Sequence, residues 1–308
     1  MSRTKDVIVQ KSSVPLSGSL VWSVPKQTSV VVLMLHGSGP LDRDANMRGQ
    51  KLDIFNAMAA ALDAAGISSY RYDKRGCGQS GGTYDKASFA DLIKDACAAV
   101  DMLASMPEIS SIVLLGHSEG TMIAPVVAHL KPEVSGLILL CPTIRPVEET
   151  LMRQAEHFAR MVDQMPGVRG VITRLIARMK GGLLKEQRNL IDRIKAAKND
   201  ACRSKGQPAP TELLRGLLAH DPMLWIEKVQ VPTLAISGTK DIQCLPGDAQ
   251  MIKDLAQAPV ECHCLSDLTH ILRAHSAPAS FDRYADLMAK KLDPRVPQLS
   301  IDWILRQD

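Results

Sequence analysis

Long apolar runs, aromatic side chains and charge of one sign are all scarce in this chain. No stretch approaches ~18 uninterrupted apolar residues, so no membrane span is expected. Aromatics make up only 4 % of the residues, although the apolar share, 45 %, is ordinary for a folded soluble protein. The formal charge of +4 is too small to argue for a nucleic-acid partner. The N-terminal MSRTKDVIVQKSSVPLSGSL has no continuous apolar segment, so no signal peptide is expected. Neither an internal repeat nor a low-complexity tract is found.

Cysteine usage points the same way. The seven cysteines (77, 97, 141, 202, 244, 262 and 264) are odd in number and scattered, which fits a reduced, cytoplasmic protein better than a disulfide framework. Only Cys262-His263-Cys264 forms a cluster. It lies in the alternating segment VECHCLS, which sends the two cysteines to one strand face and the histidine to the other. Zinc would want four ligands, so buried core thiols are the expected reading. No metal or organic cofactor is expected.

What is present is alternation. Asp6–Gln10 and Leu16–Ser23 read as a hairpin around Pro15 and Gly18, and the β-branched Ser29–His36 reads as a buried central strand. Apolar residues at Leu52, Phe55, Met58, Ala59 and Leu62 give Lys51–Ala65 helical spacing, with Gly66 as its stop. Strands follow at Ile67–Asp73, Ser111–His117 and Gly136–Cys141, separated by helices at Lys86–Ser105 and Thr121–Leu130. This order predicts an α/β chain with a mostly parallel sheet flanked by helices.

Between Thr143 and Pro222 the alternation stops. The segment reads as helical without a strand, with a loop around Ser204–Pro210. It carries 15 Lys and Arg against 9 Asp and Glu, so +6, and leaves −2 for the rest. Leu151, Met152, Ala155, Phe158, Ala159 and Val162 are spaced to face a core, and its methionines suit an adaptable apolar pocket. The basic excess reads as a solvated face, with attraction of an anionic substrate as the alternative. A strand at Pro232–Ser237, a helix at Pro246–Gln257, a strand at Val260–Leu265 and a helix at Ser280–Leu292 complete the alternation. The tail Val296–Asp308 offers Ile301, Trp303, Ile304 and Leu305 as anchors. The expected domains are thus a core of residues 1–142 and 223–308 and an inserted helical unit of residues 143–222.

The chemistry centres on Gly116-His117-Ser118-Glu119-Gly120. A serine hydroxyl is a poor nucleophile without a base in contact and a carboxylate to orient that base. The pentapeptide fits the G-x-S-x-G turn, with a strand running in, a helix running out and glycines where a Cβ would strike backbone. The partners fall at strand ends. His36-Gly37-Ser38-Gly39-Pro40 closes the first central strand, where an oxyanion loop is expected. The N–H of Glu119, at a helix start, supplies a second donor. Asp241 ends PTLAISGTKD, and His270 follows the next strand. Asp248 and Asp267 compete for the acid role and His275 for the base. Asp267 is too near His270 in sequence, Asp248 falls in an expected helix, and His270 sits on the loop. His129, His157 and His220 read as surface or core residues.

The set HGSGP, YDKRGCGQS, GHSEG, SGTKD and DLTH resembles the α/β-hydrolase superfamily, in particular bacterial serine esterases. The resemblance covers roughly residues 15–142 and 223–292 and implies an α/β-hydrolase fold with residues 143–222 as a helical cap. It implies Ser118 as nucleophile, His270 as general base then acid, and Asp241 as orienting acid. It also implies the N–H groups of Ser38 and Glu119 as the oxyanion hole. His36, Gly37, Gly39, Gly116 and Gly120 support these motifs.

Other readings stand beside it. The Glu119 carboxylate either caps the following helix or touches substrate. Asp42-Arg43-Asp44 and Asp73-Lys74-Arg75 read as an ion-pair network positioning loops, or else as a substrate anion site. Gly76-x-Gly78 reads as a turn, since it lacks the rest of a phosphate loop. The expected activity is carboxylic-ester hydrolysis of a small, short- to medium-chain substrate. A thioesterase, peptidase or acyltransferase would use the same residues, and a ligand receptor or scaffold would keep the fold alone.

Overall fold

The structure is a computed structural model describing residues 3–179, 181–197, 203–204, 207–208, 210–278, 280 and 283–307. Cys202, Asp308 and part of the Ser204–Pro210 loop lie outside these residues. The chain opens with the antiparallel hairpin β1 (Arg3–Val9) and β2 (Leu16–Trp22). Gly18 lies inside β2 and not at the turn, and a Cβ there would stand 2.4 Å from the Tyr70 hydroxyl, so the close approach of Tyr70 requires glycine. Next come β3 (Val30–Leu35), α1 (Ile54–Ala64), β4 (Ser68–Tyr72), α2 (Phe89–Ala104), β5 (Ser111–His117), α3 (Gly120–Leu130) and β6 (Val134–Leu140). Gly66, at φ +75°, ends the first helix as expected. The second starts from a capping box in which Ser88 and Asp91 satisfy each other's backbone N–H.

Between β6 and the next sheet strand lie α4 (Val147–Gln164), α5 (Gly167–Met179), α6 (Leu183–Ala196) and α7 (Thr211–Ala219). A pair of two-residue strands, β7 (Arg203–Ser204) and β8 (Gln207–Pro208), interrupts the expected all-helical segment before α7. The chain returns through α8 (Pro222–Ile226), β9 (Thr233–Gly238), α9 (Asp248–Leu255) and β10 (Val260–Leu265). It ends with α10 (Tyr284–Met288) and α11 (Arg295–Gln307).

The eight-stranded sheet runs β1-β2-β4-β3-β5-β6-β9-β10. Only β2 runs against its neighbours; the pairs from β4 onward are parallel. Side chains alternate between two cores. Val31, Leu33 and Leu35 of β3 face one side, with α2 and α3, while Val30, Val32 and Met34 face the other, with α1 and α11. This is the α/β-hydrolase fold, and the alternation explains why the central strands read as unbroken apolar runs.

Four expectations need correction. The helix expected over Ser280–Leu292 is only the short α10 within the described residues. The tail is itself a helix that buries Val296, Trp303 and Ile304, while Leu305 stays exposed. Cys262 is half-buried beside Gln250 of α9 and Cys264 is exposed, on the edge strand β10 of the sheet. Phe158 of α4 is exposed instead of facing a core. No described helix is long and apolar enough to cross a membrane.

Candidate active site

The strand ends carry the candidate side chains to one edge of the sheet. Ser118 follows β5 directly and holds φ +53°, a left-handed conformation that costs a non-glycine residue energy. Its N–H donates to the Leu140 carbonyl (3.0 Å), and its own carbonyl accepts from the N–H of Thr121 (2.9 Å). The flanking glycines permit the turn. A Cβ on Gly116 would lie 2.4 Å from the Gly120 carbonyl oxygen, and one on Gly120 would lie 2.2 Å from that of Leu35.

Asp241, His270 and Ser118 form one continuous hydrogen-bonded chain. His270 Nδ1–H donates to Asp241 Oδ2 at 2.9 Å, since a carboxylate can only accept. That leaves Nε2 of the neutral ring as acceptor for the Ser118 hydroxyl, 3.0 Å away. The other oxygen of Asp241 accepts the N–H groups of Gln243 and Cys244, each at 2.8 Å. Burial pushes the Asp241 carboxyl up, but His270 and these N–H donors more than reverse it and hold it below the usual carboxylate range. Burial opposes charging of His270 as well, yet the adjacent carboxylate raises its pKa well above the ordinary value.

The loop after β3 faces this chain. Ser38 and Glu119 line a cavity of about 650 Å³ together with Ser118 and His270. Among the described residues, the backbone N–H groups of Ser38 and Glu119 donate to no protein acceptor. Gly39 holds φ +107°, a conformation that glycine supplies.

Glu119 is where the sequence reading needs correction. Its carboxylate makes no cap to α3, and instead meets the Lys74 ammonium at 2.7 Å with both side chains almost wholly buried. The same ammonium donates to the carbonyl oxygens of Gly37 (2.7 Å) and Gly39 (3.3 Å). Lys74 therefore ties the loop after β3 to the residue following Ser118.

The neighbouring charges are structural, as expected. Arg43 bonds Asp73 (2.8 Å) and Asp6 (3.0 Å), Arg71 bonds Asp44 (2.8 Å), and Arg75 grips both oxygens of Asp95 at 2.7 Å. Gly76 and Gly78 adopt positive φ, and a Cβ on Gly78 would lie 2.3 Å from the Asp73 carboxyl carbon. That segment is a turn wrapped on a carboxylate, which leaves no room for a phosphate.

The competing residues lie elsewhere. Asp248, the first residue of α9, pairs with Arg145 (3.1 Å), and burial raises its pKa. Asp267 holds φ +59° and its N–H donates to the Thr239 hydroxyl at 2.9 Å. The half-buried His275 has no hydrogen-bond partner at Nε2 among the described residues. His129 packs edge-on against Trp225 and His220 against Phe89.

One contributor, His117, escaped the sequence reading, while His36 appears there only as supporting its motif. His117 Nε2 meets the His270 carbonyl oxygen at 2.9 Å, so the residue before the serine holds the histidine loop; burial drops its pKa to about 4. His36 is buried beside Phe55 and Tyr72, and its pKa falls to about 3 for the same reason. The His117 contact has no local signal, since it spans 153 residues. Among the described residues, one group has metal-ligand proximity, Cys141 with Asp241 and His270. Two of its members already spend their facing atoms on each other. Cys262 bonds Gln250 and His263 pairs with Glu261, so that cluster makes no ligand set.

Comparison with known proteins agrees with this architecture. Esterase EstD of Thermotoga maritima is 26 % identical over 249 residues, 78 % of this chain and 54 % of that protein. The chain thus spans about half the length of that curated relative. The structure of Est1E from Butyrivibrio proteoclasticus with ferulic acid bound superposes with a TM-score of 0.62 at 15 % identity, covering 98 % of both chains. Proline iminopeptidase from Mycobacterium smegmatis also gives 0.62, at 16 % identity over 99 % and 100 % of the two chains. At such identities these structures speak for the fold alone. The sequence model of the family described as serine aminopeptidase, S33, matches residues 46–274, and the chain belongs to that family of α/β hydrolases.

Proposed function

We propose that this chain is a serine hydrolase that cleaves carboxylic esters through an acyl-enzyme. The reading rests on one observation, the unbroken run from the Asp241 carboxylate through His270 to the Ser118 hydroxyl beside a cavity. In this reading Ser118 Oγ attacks the ester carbonyl as its proton passes to His270 Nε2. The tetrahedral oxyanion takes hydrogen bonds from the N–H groups of Ser38 and Glu119, each worth about 10²–10³ in kcat where such donors have been removed. Collapse of the intermediate breaks the C–O bond, and His270 returns the proton to the leaving alcohol. The same nitrogen then takes a proton from water, which attacks the acyl-enzyme, and returns it to Ser118 Oγ as the acyl–Oγ bond breaks and the acid leaves. Asp241 holds the ring in one tautomer and stabilises the imidazolium.

Residues 143–222 act in this reading as a helical cap, and the cavity draws Val147, Leu151, Leu214 and Leu217 from them. Its size and apolar lining support short- to medium-length acyl groups. A small-molecule ester is the substrate, and six free thiols among the described residues accord with a reducing, cytoplasmic setting.

The family description favours a second reading, removal of an N-terminal amino acid from a peptide. That reaction needs a carboxylate to hold the substrate ammonium. Among the described cavity residues the one acidic side chain is Glu119, and it is already paired with Lys74. Lysine and arginine are likewise missing from that lining, which favours an uncharged substrate over an anionic one. Comparing kcat/KM for p-nitrophenyl esters, acyl-CoAs and aminoacyl p-nitroanilides tests the choice. Ester turnover that dominates and vanishes in Ser118→Ala supports the esterase; preferred cleavage of the anilides overturns it.

A further inference from the structure

Helix α5 is built inside out. On a wheel of 100° per residue, Val168, Val171, Ile172, Leu175, Ile176 and Met179 fall within a single arc of about 140°. All six are 51–80 % exposed, so this arc faces away from the protein. The opposite side explains the orientation. Gly170 is buried against the end of α4, where an added Cβ would stand 2.0 Å from the Met165 carbonyl oxygen. One turn on, Arg174 donates to the carbonyls of Val162 (3.1 Å), Asp163 (3.2 Å) and Met165 (2.9 Å) at the C-terminal end of α4. Small and polar contacts thus fix the inner face, and the apolar face is left to solvent.

The charges select what covers it. The helix sequence GVRGVITRLIARM contains three arginines and no acidic residue, and the 143–222 segment carries +6. Arg178, beside the stripe, is exposed. A second copy of this chain docked by the same face would oppose arginine to arginine. An anionic lipid surface instead takes the apolar stripe among its acyl chains and the exposed Arg178 among its phosphates. A helix of this length, about 20 Å, suits an interfacial position and not a span. We propose that α5 is a peripheral docking element for anionic membranes, seating the chain with residues 143–222 against the lipid.

The test is sedimentation of the full chain with vesicles of phosphatidylcholine plus phosphatidylglycerol, and with phosphatidylcholine alone. Expected is binding to the mixed vesicles about tenfold or more above that to the neutral ones, falling as salt rises. Leu175→Ser/Ile176→Ser should lower mixed-vesicle binding about tenfold or more, as loss of two buried apolar side chains requires. Arg178→Glu, which leaves the apolar stripe intact, should weaken binding mainly at low salt. Circular dichroism and turnover of a soluble ester check that both variants remain folded. Several results would overturn the proposal: equal binding to neutral and mixed vesicles, variants that bind like the parent chain, or no vesicle binding at all. Self-association abolished by Leu175→Ser/Ile176→Ser, without lipid binding, would assign the stripe to a second copy. An acidic protein partner without lipid binding would likewise overturn it. Binding is read without turnover, so its failure leaves the esterase reading standing, and the reverse holds too.

Discussion

Lys74 Nζ lies 2.7 Å from Glu119 Oε1 and 2.7 Å from the Gly37 carbonyl oxygen, with both side chains buried. One ammonium thereby joins the loop carrying Ser38 to the residue that follows Ser118, the two positions assigned to the oxyanion donors. Removing it has separable consequences. Lys74→Met strands a buried carboxylate and should cost about 3–5 kcal/mol of stability. Adding Glu119→Gln should recover part of that loss in a denaturant titration. It should not restore kcat, because the Gly37 carbonyl stays untethered. The expected kcat deficit is about tenfold or more in both variants, with KM near the parent value. Full recovery of kcat in the double variant would assign the pair to stability alone.

The elbow glycines make a sharper steric prediction. Gly120→Ala puts a methyl 2.2 Å from the Leu35 carbonyl oxygen, which is backbone and cannot step aside cheaply. It should destabilise by about 3 kcal/mol or more, as overpacking does. Gly247→Ala is the control: φ there is −78° and a Cβ meets nothing within 4 Å. It should be neutral, or stabilising by about 0.4–1 kcal/mol through the unfolded chain. Equal melting temperatures for the two variants would contradict the drawn turn.

Acid should unfold this protein earlier than its carboxylates alone require. His36 and His117 are buried neutral, with burial lowering their pKa values to about 3 and about 4, and His220 likewise falls to about 4. Unfolding restores their ordinary values of about 6.5. Between those limits these three histidines bind more protons in the unfolded chain, so their contribution to stability is full above about pH 6.5 and is lost as pH falls toward 4. Urea midpoints at a series of pH values should decline through that window. A flat profile down to pH 4 would show that the histidines are not held neutral.

Turnover should carry a separate pH signature. In the proposed mechanism the base form of His270 is the active one, and the Asp241 carboxylate raises its pKa above the ordinary value. The acidic limb of kcat/KM should therefore lie above about pH 6.5 and fall tenfold per unit below it. An acidic limb well below that value would mean that Asp241 does not charge-stabilise the ring.

Much of this was legible because it is local. Periodicity marked Ser111–His117 and Val260–Leu265 as strands at the observed bounds, and Gly66 marked the end of α1. The G-x-S-x-G spacing announced a crowded turn, since only glycine allows the backbone approach at 116 and 120. What stayed hidden depends on tertiary placement. No local pattern pairs Lys74 with Glu119, 45 positions away, and a glutamate at a helix start looks like a cap from sequence. Cys262 and Cys264 alternate like core residues, yet strand order puts them on an edge. The apolar period of α5 is visible in sequence, but its outward direction is set by Gly170 and Arg174 against α4.

The central claim is that the hydroxyl of Ser118, in contact with His270, is the nucleophile. Reaction of the folded chain with a fluorophosphonate, followed by peptide mapping, tests it most directly. The account predicts one stoichiometric adduct on Ser118, lost in Ser118→Ala and strongly slowed in His270→Ala. An unlabelled Ser118 in the folded chain, or an equal adduct elsewhere in Ser118→Ala, would contradict it.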